Sequence, residues 1–192
     1  MQKSIKSLFI IFLLLYIPIY SEQLSYRVRM DSFSGTSVIN DYVLGDTLYV
    51  IIKTNVAFGL IRIENLGKIN IKKRKAIEIV SKYNRAGVKS DGSVRFLENS
   101  IEALLTGEKK KVYDKLKYEP NDWLLLPFFL KYYEKDVYNC SMIHGDFELN
   151  KTMFNDTILW KDEKNSIIIK LVDKRFVYMK AGKILMEIDR EK

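Results

Sequence analysis

Alternation of apolar and polar residues with a period of two most constrains the fold of this chain of 192 residues. Tyr26 and Val28 alternate with Arg27 and Arg29, and short segments of similar character recur up to Asp189. Because successive side chains on a strand point to opposite faces, this pattern predicts half-buried strands with one wet face. Strands do not alternate regularly with helical segments, which disfavours a parallel sheet and favours an antiparallel one.

Turn residues divide the alternating stretch into about ten or more short strands. Gly87 and the pair Asp91-Gly92 indicate a hairpin, and Ala181-Gly182 indicates a turn near the end of the chain. The predicted strands are residues 26–30, 36–44, 47–56, 60–65, 68–72, 76–84, 94–98, 110–118, 145–150, 157–162, 166–173, 175–180 and 183–189.

One segment interrupts this pattern. Residues 124–133 are apolar almost all round, as expected for a helix buried in a core; the alternative is a membrane-inserting or partner-binding segment. Asn121 or Asp122 can cap the helix, and Pro127 lies slightly too deep for the first turn, so we expect it to kink the helix. The predicted fold is mainly β: a curled antiparallel meander or half-open barrel wrapped around one apolar helix at about residues 122–133.

The N-terminus has the order of parts of a secretory signal peptide. Lys3 and Lys6 form a basic head, residues 8–20 are uncharged and largely apolar, and the small Ser21 follows. The run is shorter than the roughly 20 residues of a membrane-spanning helix, so we expect cleavage of residues 1–21, with an uncleaved anchor as the alternative. Residues 22–192 then form a single exported domain, periplasmic or secreted, with no transmembrane span. No cysteine follows the cleavage point, so a lipoprotein is not expected.

Charge and cysteine content bound the partners. The formal net charge of +8 is compatible with attraction to anionic lipid, and export argues against nucleic acid as a partner. Two basic clusters could form a rim around an amphiphile site, although a solvated turn or the protection of a sheet edge is the simpler explanation; they are Lys72, Lys73, Arg74 and Lys75, and Lys109, Lys110 and Lys111. The single cysteine, Cys140, is either a buried small hydrophobe or a free thiol.

The closing strands resemble a known kind of protein. Residues 145–149 read Gly-Asp-Phe-Glu-Leu, residues 159–163 read Leu-Trp-Lys-Asp-Glu, and an apolar strand follows at residues 167–171. Together with the long meander and the helix, these residues resemble exported bacterial β-rich domains of unknown function. More distantly, the layout is similar to periplasmic lipoprotein carriers. The resemblance implies a curled sheet around a helix and export, and it implies no activity.

Catalytic chemistry has little support in the sequence. His144 is the only histidine. In a hydrolase it would have to take a proton from a serine and be oriented by a carboxylate, and the nearby Ser141 and Asp146, as close neighbours on a turn, seldom form such a triad. No metal-ligand spacing or glycine-rich phosphate loop is present, so we expect no catalytic, metal or cofactor-binding residues and no cofactor. Three glycosylation triplets begin at Asn139, Asn150 and Asn155.

The function predicted from these features is that of an exported, non-enzymatic envelope protein. It would bind a lipid or other amphiphile, or an envelope protein, within or across its curled sheet. Four aromatic residues could line the cavity: Trp123, Phe128, Phe129 and Trp160. The alternatives are a structural envelope protein without a small ligand and, less favoured, a hydrolase that uses His144.

Overall fold

A single antiparallel sheet of fifteen strands dominates the computed structural model, which describes residues 19–20, 23–30 and 32–189. Of the predicted signal peptide, residues 1–18 and 21 lie outside the described residues, and residues 19 and 20 pair with the third strand. The strands are β1 (Ile19–Tyr20), β2 (Leu24–Met30), β3 (Phe33–Leu44), β4 (Thr47–Val56), β5 (Ile61–Asn70), β6 (Lys75–Arg85), β7 (Val88–Phe96), β8 (Ile101–Leu105), β9 (Lys111–Tyr113), β10 (Val137–Met142), β11 (Gly145–Phe154), β12 (Thr157–Asp162), β13 (Ile167–Val172), β14 (Arg175–Ala181) and β15 (Ile184–Ile188). One α-helix, α1 (Leu126–Leu130), follows β9, and a short 3-10 turn (Ala57–Gly59) follows β4.

The strand order places two consecutive strands at opposite edges of the sheet. The order is β10-β11-β12-β13-β14-β15-β2-β3-β4-β5-β6-β7-β8-β9, with β1 paired to β3 off this path. The chain therefore builds the meander β2 to β9, crosses through residues 114–136, and returns as the meander β10 to β15. The closing step is the pairing of β15 with β2, which joins the two meanders. The crossing connection carries α1.

Contacts of the α1 segment show that the sheet curls around it. Leu125 fills the space in front of Gly67 on β5, and the ring of Tyr133 lies 5.9 Å from that of Trp160 on β12. β5 and β12 are seven strand positions apart, which is about 34 Å in a flat sheet. The segment from Leu125 to Tyr133, which makes both contacts, would span only about 12 Å as a continuous helix. The predicted curled antiparallel sheet wrapped around one helix is therefore confirmed.

The concave face of the sheet holds the core. Alternate side chains of β4 and β13 are buried, as the period-two pattern predicts, and they are Leu48, Val50, Ile52, Ile167, Ile169 and Leu171. Two pairs of polar residues also lie on this face. The members of each pair hydrogen-bond to each other, as buried polar groups in proteins usually do. The hydroxyls of Ser37 and Thr54 are 2.9 Å apart, and Ser81 Oγ donates to Asn65 Oδ1 at 2.7 Å.

The helix is shorter than predicted. Regular α-helix covers only Leu126–Leu130 instead of residues 122–133, with tight turns on both sides. Pro127 has no amide to donate, so the α-helical ladder cannot run continuously through the segment. Asp122 rather than Asn121 caps the preceding turn, because its Oδ1 accepts from the Leu124 amide at 2.9 Å. Pro127 therefore lies in the first turn of a short helix and does not kink a long one.

Several predicted strand boundaries are wrong. Residues 60–65 and 68–72 belong to one strand, β5, and Asp91-Gly92 lies inside β7, because the hairpin turn is at Ala86 and Gly87. The strand predicted at residues 110–118 is only the short β9. β8 and β10 were not predicted, whereas the predicted limits of β4 and β12 are those observed.

Candidate binding site

The four residues predicted to line a cavity all lie on or near the concave face. Phe128, Phe129 and Trp160 are buried, and Trp123 is half-buried with its ring edge-on to Phe147 at 4.7 Å. Phe129 and Trp160 belong to one aromatic cluster with Tyr133 and Tyr138, whose neighbouring ring centroids are 4.8 to 5.9 Å apart. Trp123 and Phe128 lie outside that cluster.

The aromatic cluster is tightly packed around Phe129. A gap lined by Phe129 and Tyr133 has a volume of about 10 Å³, at the lower limit for one water molecule. The hydroxyl of Tyr138 accepts from Asn121 Nδ2 at 2.9 Å. Phe129 and Trp160 thus contribute to the packed core in this part of the interior.

Phe128 lines a larger opening, which we name the α1 cleft. Its volume is about 150 Å³, and it lies between α1, β2, β3 and the start of β14. The lining residues are Leu24, Tyr26, Ile39, Asp41, Pro127, Phe128, Lys131, Arg175 and Phe176. Phe176 stacks on Tyr26 at 5.1 Å and meets Phe128 edge-on at 5.9 Å, so three rings form an apolar wall.

Charged groups lie at the mouth of the α1 cleft. Lys131 Nζ is 3.4 Å from Asp41 Oδ2, with both side chains mostly buried, and it also lies over the ring of Tyr132 at 5.4 Å. Arg175 adds a second cation. Burial, and secondarily the charge of Asp41, raises the pKa of Tyr26 well above its ordinary value, so this phenol stays protonated and donates to the Phe176 carbonyl at 2.7 Å. The cleft thus combines an apolar wall with two cations and one carboxylate.

The sequence predicts only Phe128 of the nine lining residues for a ligand site; the eight that it misses include Tyr26, Asp41, Lys131 and Arg175. One of them carried a readable signal. Asp41 occupies the same face of β3 as Ser37 and Ile39, so the alternation places a carboxylate on the buried side of a strand. A charged residue at such a position needs a partner, because an unpaired buried charge is strongly unfavourable. Lys131, directly after the apolar helix, is that partner.

The predicted basic rims lie elsewhere. Residues 72–75 lie in the turn between β5 and β6 and at the first residue of β6, whereas residues 109–111 precede and begin β9 at the opposite end of the strands. Four of these seven residues form ion pairs: Arg74 with Glu134 at 3.2 Å, Lys75 with Glu119 at 3.6 Å, Lys110 with Glu102 at 2.8 Å and Lys111 with Glu108 at 3.3 Å. Neither cluster lines the α1 cleft.

The groups considered for a hydrolase do not form a relay. Ser141 is buried, donates directly to the Asp146 carboxylate, and accepts from the Tyr118 amide at 3.0 Å. His144 is exposed on the turn between β10 and β11. Beside it, an open polar depression of about 670 Å³ is lined by side chains of both charges from β11, β12 and the following turn. Ser141 is therefore a structural hydrogen-bonding group.

The described residues contain neither a cluster of metal ligands nor a helix able to span a membrane. No cluster of three or more His, Cys, Asp or Glu side chains is placed to hold a metal ion. No helix in the described part of the chain combines the length and apolar character needed to cross a membrane. Cys140 is fully buried, as expected for a small core hydrophobe, and burial followed by the charges of Asp146 and Asp162 raises its pKa to about 12.

Fold and site together define a class of protein: a mainly β domain whose single curled antiparallel sheet encloses a short apolar helix. No protein-family model matches the sequence, and a search of curated proteins finds no match either. Among solved structures, the fold is similar to a β-barrel-like protein of a domain of unknown function from Brucella abortus. That chain is 12% identical, with a TM-score of 0.47 and coverage of 90% of this chain and 96% of the other. The fold assignment rests on the strand pairing described above.

Proposed function

We propose that this chain is an exported, non-enzymatic envelope protein that binds an amphiphile in the α1 cleft. An apolar group of the ligand would occupy the wall formed by Tyr26, Phe128 and Phe176, and an anionic group would lie at the mouth. Export is supported by the order of basic, apolar and small residues at positions 1–21. Binding is supported by one observation above all, the apposition of an apolar opening with Lys131 and Arg175.

The charges at the mouth favour a single anionic group. The lining residues include two cations, Lys131 and Arg175, and one carboxylate, Asp41, which pairs with Lys131. Lys131 and Asp41 are mostly shielded from solvent, so their interactions are screened less than those of a surface pair. A carboxylate or phosphate would be attracted to the two cations, whereas a cationic amphiphile would be repelled by them.

The size of the cleft limits what enters it. A volume of about 150 Å³ is that of a cavity that accepts benzene, so a ring or a short alkyl segment fits and a whole long acyl chain does not. The remainder of a larger ligand would stay outside the sheet. This differs from a carrier that encloses its ligand, because the aromatic cluster around Phe129 is packed and the gap beside that ring is only about 10 Å³.

Calorimetric titration with straight-chain carboxylates of increasing length tests the proposal. We expect the binding free energy to improve by about 0.8 kcal/mol for each methylene that enters the cleft and then to level off once the cleft is full. Phe128→Ala enlarges the cleft and should move this plateau to longer chains. Absence of saturable binding across the series would contradict the proposal and favour a structural envelope protein.

Two charge variants separate binding from folding defects. Asp41→Asn raises the net charge at the mouth and should tighten carboxylate binding, a gain that a misfolded protein cannot show. Lys131→Met should weaken binding, with Lys135→Met, an exposed lysine of the same segment, as the matched control. Equal affinities in Asp41→Asn, Lys131→Met and the unaltered protein would show that the mouth does not contact the anionic group. N-terminal sequencing of the exported protein, expected to begin near Glu22, tests export separately.

A further inference from the structure

Apolar side chains project from three adjacent turns at one end of the sheet. We name Phe33, Phe58, Leu60 and Val88 the apolar tips, and their exposures are 48%, 108%, 60% and 73%. They belong to the turns that join β2 to β3, β4 to β5, and β6 to β7, and these six strands are neighbours in the sheet. The α1 cleft opens at the opposite end of the strands, near Leu24 and Arg175.

Strand register brings the apolar tips together. At this end of the sheet, Gly35 is the last residue of β3 that pairs with β4, and its partner Val56 directly precedes the turn that carries Phe58, so this turn begins two residues from Phe33. The amide of Ala86 donates to the Leu60 carbonyl at 2.8 Å, which ties the third turn to the second. The apolar tips therefore form one surface that spans three turns.

The second turn holds the ring of Phe58 away from the sheet. Ala57 and Phe58 have φ angles of 52° and 56°, in the left-handed region that residues with a Cβ seldom adopt. Left-handed residues also occur at other turns of this sheet, such as Ala86 and Asn155. What distinguishes this turn is the full exposure of a large ring, which no packing contact in the described structure covers.

Cations surround the apolar tips. Arg29, Arg62, Arg85 and Lys89 are exposed and lie within a few residues of the three turns, and Arg62 Nε donates to the Gly59 carbonyl at 3.3 Å. Further along the strands, the carboxylates of Glu64 and Asp91 balance the charges of Lys53 and Lys82. Near the turns, the sequence has these four cations and one acidic residue, Asp31, so the formal net charge there is positive. Apolar and aromatic side chains inside a ring of cations are typical of surfaces that dock on anionic bilayers.

We propose that the apolar tips insert into the surface of an anionic lipid bilayer, with Arg29, Arg62, Arg85 and Lys89 contacting its headgroups. Phe58 is the most exposed of the apolar tips, and Leu60 follows it on the same turn. The bilayer is favoured over a protein partner because separate convex turns fit between lipid headgroups, and four exposed cations border them. This docking is independent of ligand binding in the α1 cleft, and either property can be lost without the other.

Vesicle co-flotation of the full chain tests the proposal. Vesicles of equal parts phosphatidylglycerol and phosphatidylcholine should bind the protein, and vesicles of phosphatidylcholine alone should bind it at least about tenfold more weakly. The double variant Phe58→Ser/Leu60→Ser should reduce partitioning at least about tenfold, which corresponds to about 1.4 kcal/mol at 25 °C. Raising the salt from about 0.1 M to about 1 M, which shortens the screening length from about 10 Å to about 3 Å, should also release the protein.

A matched control exists on the same sheet. Met153→Ser/Phe154→Ser removes similarly exposed apolar side chains, 60% and 76% exposed, from a turn at the opposite end, and it should leave partitioning unchanged. All variants carry the same N-terminal residues, so any membrane affinity of that segment cancels in the comparison. Equal partitioning of the unaltered chain and Phe58→Ser/Leu60→Ser, an equal loss in both double variants, or no preference for anionic vesicles would overturn the proposal.

Discussion

Replacing Gly67 with alanine probes how tightly the sheet closes on the helical segment. Gly67 is not among the glycines with a left-handed φ angle, so its backbone conformation does not require glycine. The absence of a side chain at this position must have another cause. A Cβ at this position would lie 2.2 Å from Leu125 Cδ2 and 3.5 Å from Leu125 Cγ. Leu125 is only 1% exposed, so its side chain has no open space into which to turn. The added methyl therefore overpacks the core at the point where β5 contacts the α1 segment.

The expected effect combines two opposing contributions. Overpacking a well-packed core costs about 1–3 kcal/mol, whereas replacing glycine by alanine restricts the unfolded chain and returns about 0.4–1 kcal/mol. We expect Gly67→Ala to lower the free energy of unfolding by about 1–2 kcal/mol. Leu125→Ala alone should lower it by about 2–5 kcal/mol through the cavity that it leaves.

The double variant decides whether this steric account is correct. In Gly67→Ala/Leu125→Ala the new methyl occupies space that Leu125 vacated, so Gly67→Ala should cost little in that background. Urea unfolding of all four proteins should give a coupling of about 1–3 kcal/mol that favours the double variant, with unchanged m-values. Leu130→Ala, an equally buried leucine of the same segment, is the control and should be additive with Gly67→Ala. Coupling below about 0.5 kcal/mol with Leu125→Ala would refute the reasoning.

Two further predictions concern ionisable groups. Burial raises the pKa of Asp122, so the unfolded chain ionises this group more readily than the folded protein does, and stability falls as pH rises from the unfolded pKa of about 3.9 through the folded value. Asp122→Asn keeps the acceptor for the Leu124 amide, and urea unfolding should show a gain over the unaltered protein that is absent at about pH 3 and present at about pH 7; a constant difference would contradict it. Cys140, with a pKa of about 12, should react with an aromatic disulfide reagent far more slowly in the folded protein than in concentrated guanidinium chloride, since only the thiolate is nucleophilic. Equal absorbance traces in the two conditions would show that the thiol is accessible.

Local patterns predicted much of the sheet. β4 and β12 have the predicted limits because clear turn residues flank uninterrupted alternation, as at Gly45-Asp46 before β4. β10 was missed although Tyr138, Cys140 and Met142 alternate inwards, because Asn139 is a weak strand former and the segment is short of the β-branched and aromatic residues that mark a strand.

Where the sequence misled, long-range packing was responsible. Gly67 resembles a strand breaker, and it lies mid-strand because Leu125 fills the space of a side chain. Gly92 is similar, since a Cβ there would lie 2.9 Å from Leu105 Cδ2 on the next strand. The α1 cleft could not be predicted from local sequence patterns. Its wall joins Phe128 of the helix to Tyr26 and Phe176 of separate strands, and no spacing in the sequence relates these three residues.

The placement of β9 and β10 at opposite edges of the sheet has a consequence for how the chain is assembled. The first meander can form hairpin by hairpin as it is synthesised, because each strand pairs with its predecessor. Its concave face stays uncovered, however, until the later half arrives. The bond from the Tyr26 hydroxyl to the Phe176 carbonyl joins positions 150 residues apart, and the pairing of β15 with β2 needs nearly the whole chain. Closure therefore cannot precede the synthesis of β15, and a chain threaded through a translocation channel as it is synthesised would reach the far side before its core could form.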